Sequence, residues 1–110
     1  MIDIETARQM ALSLPGAYEQ DHFGIPSFRV NDRIFSTLWI PEQRMMVKLP
    51  LPDQDIFSLF NKNIIYPVPN KFGLKGATFF ELETVPREML EDALQISWNT
   101  IISKTKKKSR

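Results

Sequence analysis

A periodic stripe of apolar residues near the start of the chain predicts a helix. Apolar side chains recur at spacings of three and four between Ile4 and Leu14, which places one helix face against a core. Asp3 precedes this stripe and is a favourable N-cap, while Pro15 and Gly16 favour termination directly after it. We therefore predict a first helix of about three turns.

Two adjacent segments, 27–30 and 33–40, predict a β-hairpin because they are rich in apolar, β-branched and aromatic residues. They flank Asn31 and Asp32, two residue types that tolerate the positive φ of a tight turn. The turn and the two strands together give an antiparallel pair.

Prolines mark the boundaries of the next elements. Residues 45–49 predict a third strand that ends at Pro50, because proline has no N–H to donate to a sheet ladder. Pro52 can open a short helix, and residues 53–61 carry enough apolar side chains for two amphipathic turns.

The second half of the chain predicts further strands and a final helix. Residues 61–76 contain prolines and glycines and allow at most an edge strand, whereas residues 77–82 form a further strand. From about Thr84, apolar positions again recur at helical spacing as far as Ile101.

This order of elements predicts an α+β fold, in which helices pack on one face of an antiparallel sheet. We expect a single domain over residues 1–103. Residues 104–110 are lysine-rich and contain no apolar residue, so we expect them to form a disordered basic tail.

Composition excludes several classes of chemistry. The chain has 110 residues, 43% hydrophobic and 25% charged, as expected for a globular protein. It contains no cysteine and one histidine, His22, which excludes disulfides, thiolate metal sites, cysteine nucleophiles and multi-histidine zinc sites. The sequence has no G-x-S-x-G motif that would supply a nucleophilic serine for His22. We expect a protein without catalytic activity, bound metal or cofactor.

The ends of the chain and its hydropathy bear on location. No apolar run approaches the length of about 18 residues that a membrane span needs, so no membrane association is expected. Met1 is followed by an acidic, periodic segment rather than a basic and then apolar leader. The expected location is the cytoplasm.

The net charge of +1 conceals a separation of sign along the chain. Acidic residues outnumber basic ones in the predicted helices, whereas the predicted strands and residues 61–76 have a basic excess. A basic surface of this kind could face the phosphates of a nucleic acid while the acidic helices face away. The candidate phosphate-binding residues are Arg29, Arg33, Arg44, Lys48, Lys71 and Lys75.

Aromatic residues in the second predicted strand add a possible stacking surface. Strict alternation places Phe35 and Trp39 on the face opposite Ile34, Leu38 and Ile40. If the helices cover the aliphatic side, the two rings offer a platform for bases. Alternatively, they pack against other strands, a loop or a second subunit.

Several stretches together resemble the MmcQ/YjbR family: LSLPGAYE, HFGIPSFRVNDRIFSTL, MMVKL and PNKFGLKGATFFEL. The resemblance runs from about Ile4 to Ile102. It implies a two-layer α+β fold similar to the CyaY-like arrangement. It also implies a predicted DNA-binding function, with a proposed double-wing mode in which strand hairpins contact the duplex.

The resemblance carries over to particular basic residues. Arg29, Arg33 and Lys48 lie in the matching strand motifs, and Lys71 and Lys75 lie in the matching PNKFGLKG stretch. The hairpin has Asn31-Asp32 where the family often has glycines, which adds one negative charge at the tip of the supposed wing.

DNA binding is therefore the leading hypothesis. The alternative is a protein-interaction or small-ligand module without catalytic activity, which would use the apolar, proline-rich region 66–72 or the open sheet face. A protein partner remains possible on this alternative, and the residues leave the oligomeric state open.

Overall fold

The computed structural model describes residues 1–108, and the side chains of residues 1–105. Within this range, the helices are α1 (Ile4–Leu12), α2 (Leu51–Ser58) and α3 (Arg87–Lys108), and a short 3₁₀ helix covers Gly73–Lys75. The strands are β1 (Tyr18–His22), β2 (Ile25–Val30), β3 (Arg33–Trp39), β4 (Arg44–Lys48), β5 (Ile65–Pro67) and β6 (Ala77–Glu81).

The six strands form one antiparallel sheet in the order β1-β2-β3-β4-β6-β5. The three helices pack on one face of this sheet, so the predicted α+β class is confirmed. The core lies between the two layers, where Phe28, Val47 and Phe80 of the sheet are fully buried. Phe57 of α2 meets Phe80 edge to face, with 5.9 Å between ring centroids.

Local sequence signals explain where several elements begin and end. The Asp3 carboxylate accepts a hydrogen bond of 2.7 Å from the Thr6 N–H, as predicted for the N-cap of α1. Asn31 and Asp32 have φ values of 51° and 63°, so the β2–β3 hairpin turns where the sequence predicts. Hydrogen bonding to the Thr6 side chain, followed by the bond from the Thr6 N–H, favours the ionised carboxylate and holds the pKa of Asp3 below its ordinary value.

The predicted alternation in β3 is wrong at Phe35. Phe28 pairs with Ser36 and Arg29 pairs with Ile34, which leaves Phe35 as the extra residue of a β-bulge. The bulge interrupts the period of two, and the Phe35 ring is fully buried in the core. Phe35 therefore cannot stack on a base from the open face of the sheet. Ile40, expected on the helix side, follows the end of β3 and is exposed.

β1 has no counterpart in the sequence prediction. Its residues, YEQDH, lack an apolar alternation because the strand lies at a sheet edge and is mostly exposed. β5, at the opposite edge, is the short edge strand that the sequence allows within residues 61–76.

α3 extends beyond the expected boundary at Ser103 and continues to Lys108. The Thr105 hydroxyl lies within hydrogen-bond distance of the Ile101 and Ile102 carbonyl oxygens, at 3.0 and 3.2 Å. The last two residues of the expected tail, 109–110, lie outside the described residues.

Within residues 1–108, no helix combines the length and apolar character that crossing a bilayer requires.

Gln54 joins α2 to the 3₁₀ helix and to the start of β6. Its side chain is buried, and Nε2 lies 3.0 Å from the Gly73 carbonyl, 3.2 Å from the Ala77 carbonyl and 3.1 Å from the Thr78 hydroxyl. We expect Gln54→Leu to lower the free energy of unfolding by about 2 kcal/mol, because a buried donor shared among these acceptors is lost. Urea unfolding followed by circular dichroism measures this change.

Gln95→Leu is the matched control for that substitution, because Gln95 is exposed on α3. It should change the free energy of unfolding by less than about 0.5 kcal/mol. Equal effects of the two substitutions would contradict the assigned role of Gln54.

Candidate nucleic-acid interface

A cavity of about 620 Å³ lies where strand ends meet the second half of α3. Its lining includes five basic residues and one acidic residue. The basic residues are Arg29, Arg33, Lys48, Lys75 and Lys104, and the carboxylate is Asp32. We call this the cationic cavity.

Antiparallel topology brings the basic residues to one end of the sheet. Arg29 lies near the end of β2, Arg33 begins β3 and Lys48 ends β4. Because neighbouring strands of an antiparallel sheet run in opposite directions, the ends of β2 and β4 and the start of β3 lie at the same end of the sheet. α3 completes the cavity, where Lys104 is about two turns after Ser97 on the same helix.

A close backbone contact places Lys75 beside Lys48. The Leu49 N–H donates to the Gly76 carbonyl at 2.9 Å, one residue after each lysine. Gly76 has a φ of 111°, a conformation that residues with a side chain rarely adopt. A Cβ at this position would lie 2.0 Å from the Leu49 carbonyl oxygen. The absence of a side chain at Gly76 therefore allows the two lysine-bearing segments to meet.

The cavity has an excess of positive charge. Among residues 1–105, the ion pairs join Arg8 to Glu5 and Glu19, and Arg87 to Glu91, so none involves a cavity cation. The Asp32 carboxylate accepts a 3.0 Å hydrogen bond from the Tyr18 hydroxyl. This bond favours the protonated phenol and raises the Tyr18 pKa. The carboxylate at the hairpin tip is thus already engaged across the sheet.

Arg29 is held in place by its neighbours on the sheet. Its Nε lies 3.1 Å from the Ser27 hydroxyl oxygen, and one Nη lies 3.5 Å from His22 Nδ1. The His22 ring also meets the Phe23 ring edge to face at 4.8 Å. The histidine of this chain therefore lies beside a guanidinium group.

The tip of the β2–β3 hairpin is bonded to α3 and does not project freely from the fold. Asn31 Nδ2 donates to the Thr105 hydroxyl on α3 at 2.9 Å, which fastens the turn to the helix. The flank of the hairpin, where Arg29 and Arg33 lie, faces the cationic cavity.

Two other predicted site residues lie in a separate cluster on the open face of the sheet. The Arg44 guanidinium carbon lies 3.9 Å from the Phe79 ring centroid and 5.7 Å from the Trp39 centroid. The Trp39 indole N–H donates to the Thr37 hydroxyl at 2.9 Å. Arg44 and Trp39 are both half-buried by these contacts. The sequence alternative in which Trp39 packs against other strands matches this arrangement.

Lys71 also lies away from the lining of the cationic cavity, in the exposed loop between β5 and the 3₁₀ helix. The structure thus brings together Arg29, Arg33, Lys48 and Lys75 among the predicted residues. Arg44, Lys71, Trp39 and the buried Phe35 do not join them.

α3 contributes cavity residues that the sequence analysis missed. Ser97, Thr100 and Lys104 lie along the cavity, although the boundary at Ser103 assigned Lys104 to a disordered tail. Their spacing of three and four places them on one helix face and was the available signal. The Ser97 hydroxyl donates to the Phe35 carbonyl at 3.0 Å and anchors this face to β3.

Metal ligands do not converge within the part of the chain that the structure describes. No group of three or more His, Asp or Glu side chains there has the arrangement of a metal site. Glu91, near the start of α3, lies 3.5 Å from Arg87.

Tyr66 gives the open-face cluster a dependence on pH. Its hydroxyl donates to the Glu81 carboxylate and lies 3.1 Å from an Arg44 Nη. Burial, followed by the bond to Glu81, raises the Tyr66 pKa above 10.0. The unfolded chain therefore loses this proton first as pH rises, so stability declines from about pH 10 upward.

We expect Tyr66→Phe to make that alkaline decline shallower, because the substituted ring has no proton to lose. The measurement is the free energy of unfolding of both proteins between about pH 9 and 11. Identical pH profiles would contradict the assigned environment of Tyr66.

The fold and the cavity together define a small α+β protein with a cationic cavity at one end of its sheet. The sequence model of the YjbR family matches residues 12–100, and the chain belongs to this family, also called MmcQ/YjbR or DUF419. No curated protein matches the chain. The crystal structure of Deinococcus radiodurans protein DR2400, a DUF419 domain, is similar with a TM-score of 0.81 and 22% identity. That similarity covers 96% of this chain and 82% of the other, and it shows a shared fold.

Proposed function

We propose that this protein is a non-enzymatic, cytoplasmic DNA-binding protein that contacts phosphates through the cationic cavity and its rim. One observation carries the proposal. Basic residues from β2, β3, β4, the 3₁₀ helix and α3 line a single cavity. Positive charges that the fold brings together from distant parts of the chain are complementary to the negative phosphate backbone of DNA.

Each class of side chain has a distinct part in the proposal. The Arg33 guanidinium group can donate two parallel hydrogen bonds to one phosphate, whereas the lysines act as point charges. Phosphate contacts carry no sequence information by themselves. We therefore expect binding that depends weakly on base sequence.

The proposed contact surface differs from a double wing. Because Asn31 is bonded to Thr105, the hairpin tip is occupied by α3. The hairpin contributes through its flank, together with the ends of β4 and α3. Arg44 and Trp39 are engaged with each other and with Phe79, and they are not part of the proposed surface.

A fluorescence-anisotropy titration of a labelled duplex across a salt series tests the proposal. If each of the five cavity cations neutralises one phosphate, log K falls against log salt with a slope of about −4.5. The affinity then drops on the order of several hundredfold between about 50 and 200 mM salt. Absence of duplex binding at the lowest salt would contradict the proposal.

A chain ending at Thr105 separates the cavity from the basic end of the sequence. It retains Lys104 and removes Lys106, Lys107, Lys108 and Arg110. We expect this shorter chain to retain salt-dependent binding. Binding by the full chain alone would assign the affinity to the terminal residues instead.

A protein-interaction module is the second candidate, favoured by exposed apolar side chains on and after α2. Ile56 is 66% exposed, Leu59 84% and Phe60 49%. Apolar residues exposed together are typical of contact surfaces. Failure of DNA binding, combined with a concentration-dependent mass in light scattering that Leu59→Lys abolishes, would favour this candidate.

A further inference from the structure

The cationic cavity is concave, and this shape bears on which phosphate it can take. Its volume of about 620 Å³ lies within the range of small-ligand pockets. The backbone of a continuous duplex is convex, so it can cover the rim of such a cavity without filling it. A group that enters the cavity must instead be small or lie at the end of a chain.

The charge of the cavity also bears on which kind of phosphate it can bind. An internal phosphodiester carries one negative charge, whereas a phosphomonoester carries about two at neutral pH. Five cations and one carboxylate surround the cavity, and that carboxylate already accepts a bond from Tyr18. The more highly charged phosphomonoester gains more from this environment than an internal phosphodiester does.

The uncharged part of the lining suits the remainder of a nucleotide. Ile34, Leu49, Pro50 and Ile101 contribute apolar walls, and Thr100 of α3 also lines the cavity. A pocket with apolar walls and a few charged groups can pack a sugar and base while it binds a phosphate.

We propose that the cationic cavity binds the terminal 5′-phosphate of a nucleotide. The shared chemistry is a phosphomonoester on a nucleoside, supplied either by the end of a DNA strand or by a free nucleotide. This inference rests on the proposed function, because it specifies which part of a nucleic acid enters the same cavity. Lys104 and Arg33, which both line the cavity, would bind the phosphate.

Three forms of one duplex test the inference by competition in the anisotropy assay: linear with 5′-phosphates, linear with 5′-hydroxyls, and a covalently closed circle. We expect the 5′-phosphorylated form to bind about tenfold more tightly than the other two, because it alone offers the additional charge-assisted hydrogen bonds. Equal affinities for all three would overturn the inference and leave the proposed function intact.

Thymidine 5′-monophosphate and thymidine distinguish the two sources. Displacement of the 5′-phosphorylated duplex by the monophosphate, but not by thymidine, would support the inference with a free nucleotide as a competent source. Binding of the monophosphate without binding of any duplex would retain the inference and overturn the proposed function. Failure of every phosphorylated probe to bind would overturn both.

Thr100→Phe tests whether the cavity itself discriminates, because the ring fills space while every cation is retained. We expect this variant to lose the roughly tenfold preference for phosphorylated ends. Gln95→Phe adds the same ring to an exposed position of α3 outside the cavity and should retain the preference. If Thr100→Phe fails to fold, Lys104→Gln takes its place and should reduce the preference by removing one charge. Retention of the preference by the folded cavity variant would overturn the inference.

Discussion

The double substitution Arg33→Glu and Lys48→Glu is expected to weaken duplex binding by at least about 100-fold at 0.1 M salt. Each phosphate contact contributes a factor of about eight at this salt concentration, and two are removed. The introduced carboxylates also repel the phosphate backbone. The slope of log K against log salt should fall from about −4.5 to about −2.7. Both original side chains are exposed, so the fold should tolerate the changes.

Lys62→Glu with Lys71→Glu is the matched control. It changes the net charge by the same amount, also at two exposed basic residues, but neither lines the cationic cavity. We expect this control to reduce affinity by less than about fivefold, through the long-range field alone. Equal losses from the two double variants would show that net charge governs binding, and the assignment to the cavity would then be wrong. Far-ultraviolet circular dichroism of both variants verifies that the folds are equivalent.

Local chemistry made much of the fold predictable. The capping side chain of Asp3 and the turn residues Asn31 and Asp32 act within a few residues of themselves, so their effects can be read from the sequence. The helical period of α3 is similarly local. Its continuation past Ser103 was missed because the lysines there carry no apolar signal, while Thr105 bonds to the preceding turn and to Asn31.

The position of Phe35 could not be predicted because it depends on pairing between strands. A strict period of two places this ring beside Trp39, but the bulge opposite Phe28 and Arg29 turns it into the core. A bulge adds one residue to one strand, and nothing in FRVNDRIF distinguishes this register from a regular hairpin.

The sequence predicted the positive charge of the candidate site but not which residues form it. Basic residues clustered in the strand region pointed to phosphate, but the sequence could not separate Arg44 from Lys104. Arg44 stacks on Phe79 through the pairing of β4 with β6, which is a long-range contact. Lys104 lines the cavity because α3 continues past Ser103.

Gly76→Ala should lower the free energy of unfolding by about 3 kcal/mol or more. An alanine at a φ of 111° is strained by about 1–2 kcal/mol, as for other positive φ values. Its Cβ would also lie 2.0 Å from the Leu49 carbonyl oxygen, which forces backbone atoms apart at a further cost of about 1–3 kcal/mol. The Leu49 N–H bond to Gly76 and the juxtaposition of Lys48 with Lys75 would be disturbed together. Urea unfolding measures the loss of stability.

Gly24→Ala separates the cost of placing alanine at a positive φ from the cost of the close contact between a Cβ at position 76 and Leu49. Gly24 has a φ of 84°, but a Cβ there would meet no atom within 4 Å. Its substitution should therefore cost only the conformational strain, about 1–2 kcal/mol. The difference between the two variants measures the close approach between Leu49 and Gly76. If both variants lose the same stability, that approach is not tight in solution. The spacing of Lys48 and Lys75 in the cationic cavity would then not depend on the absence of a side chain at Gly76.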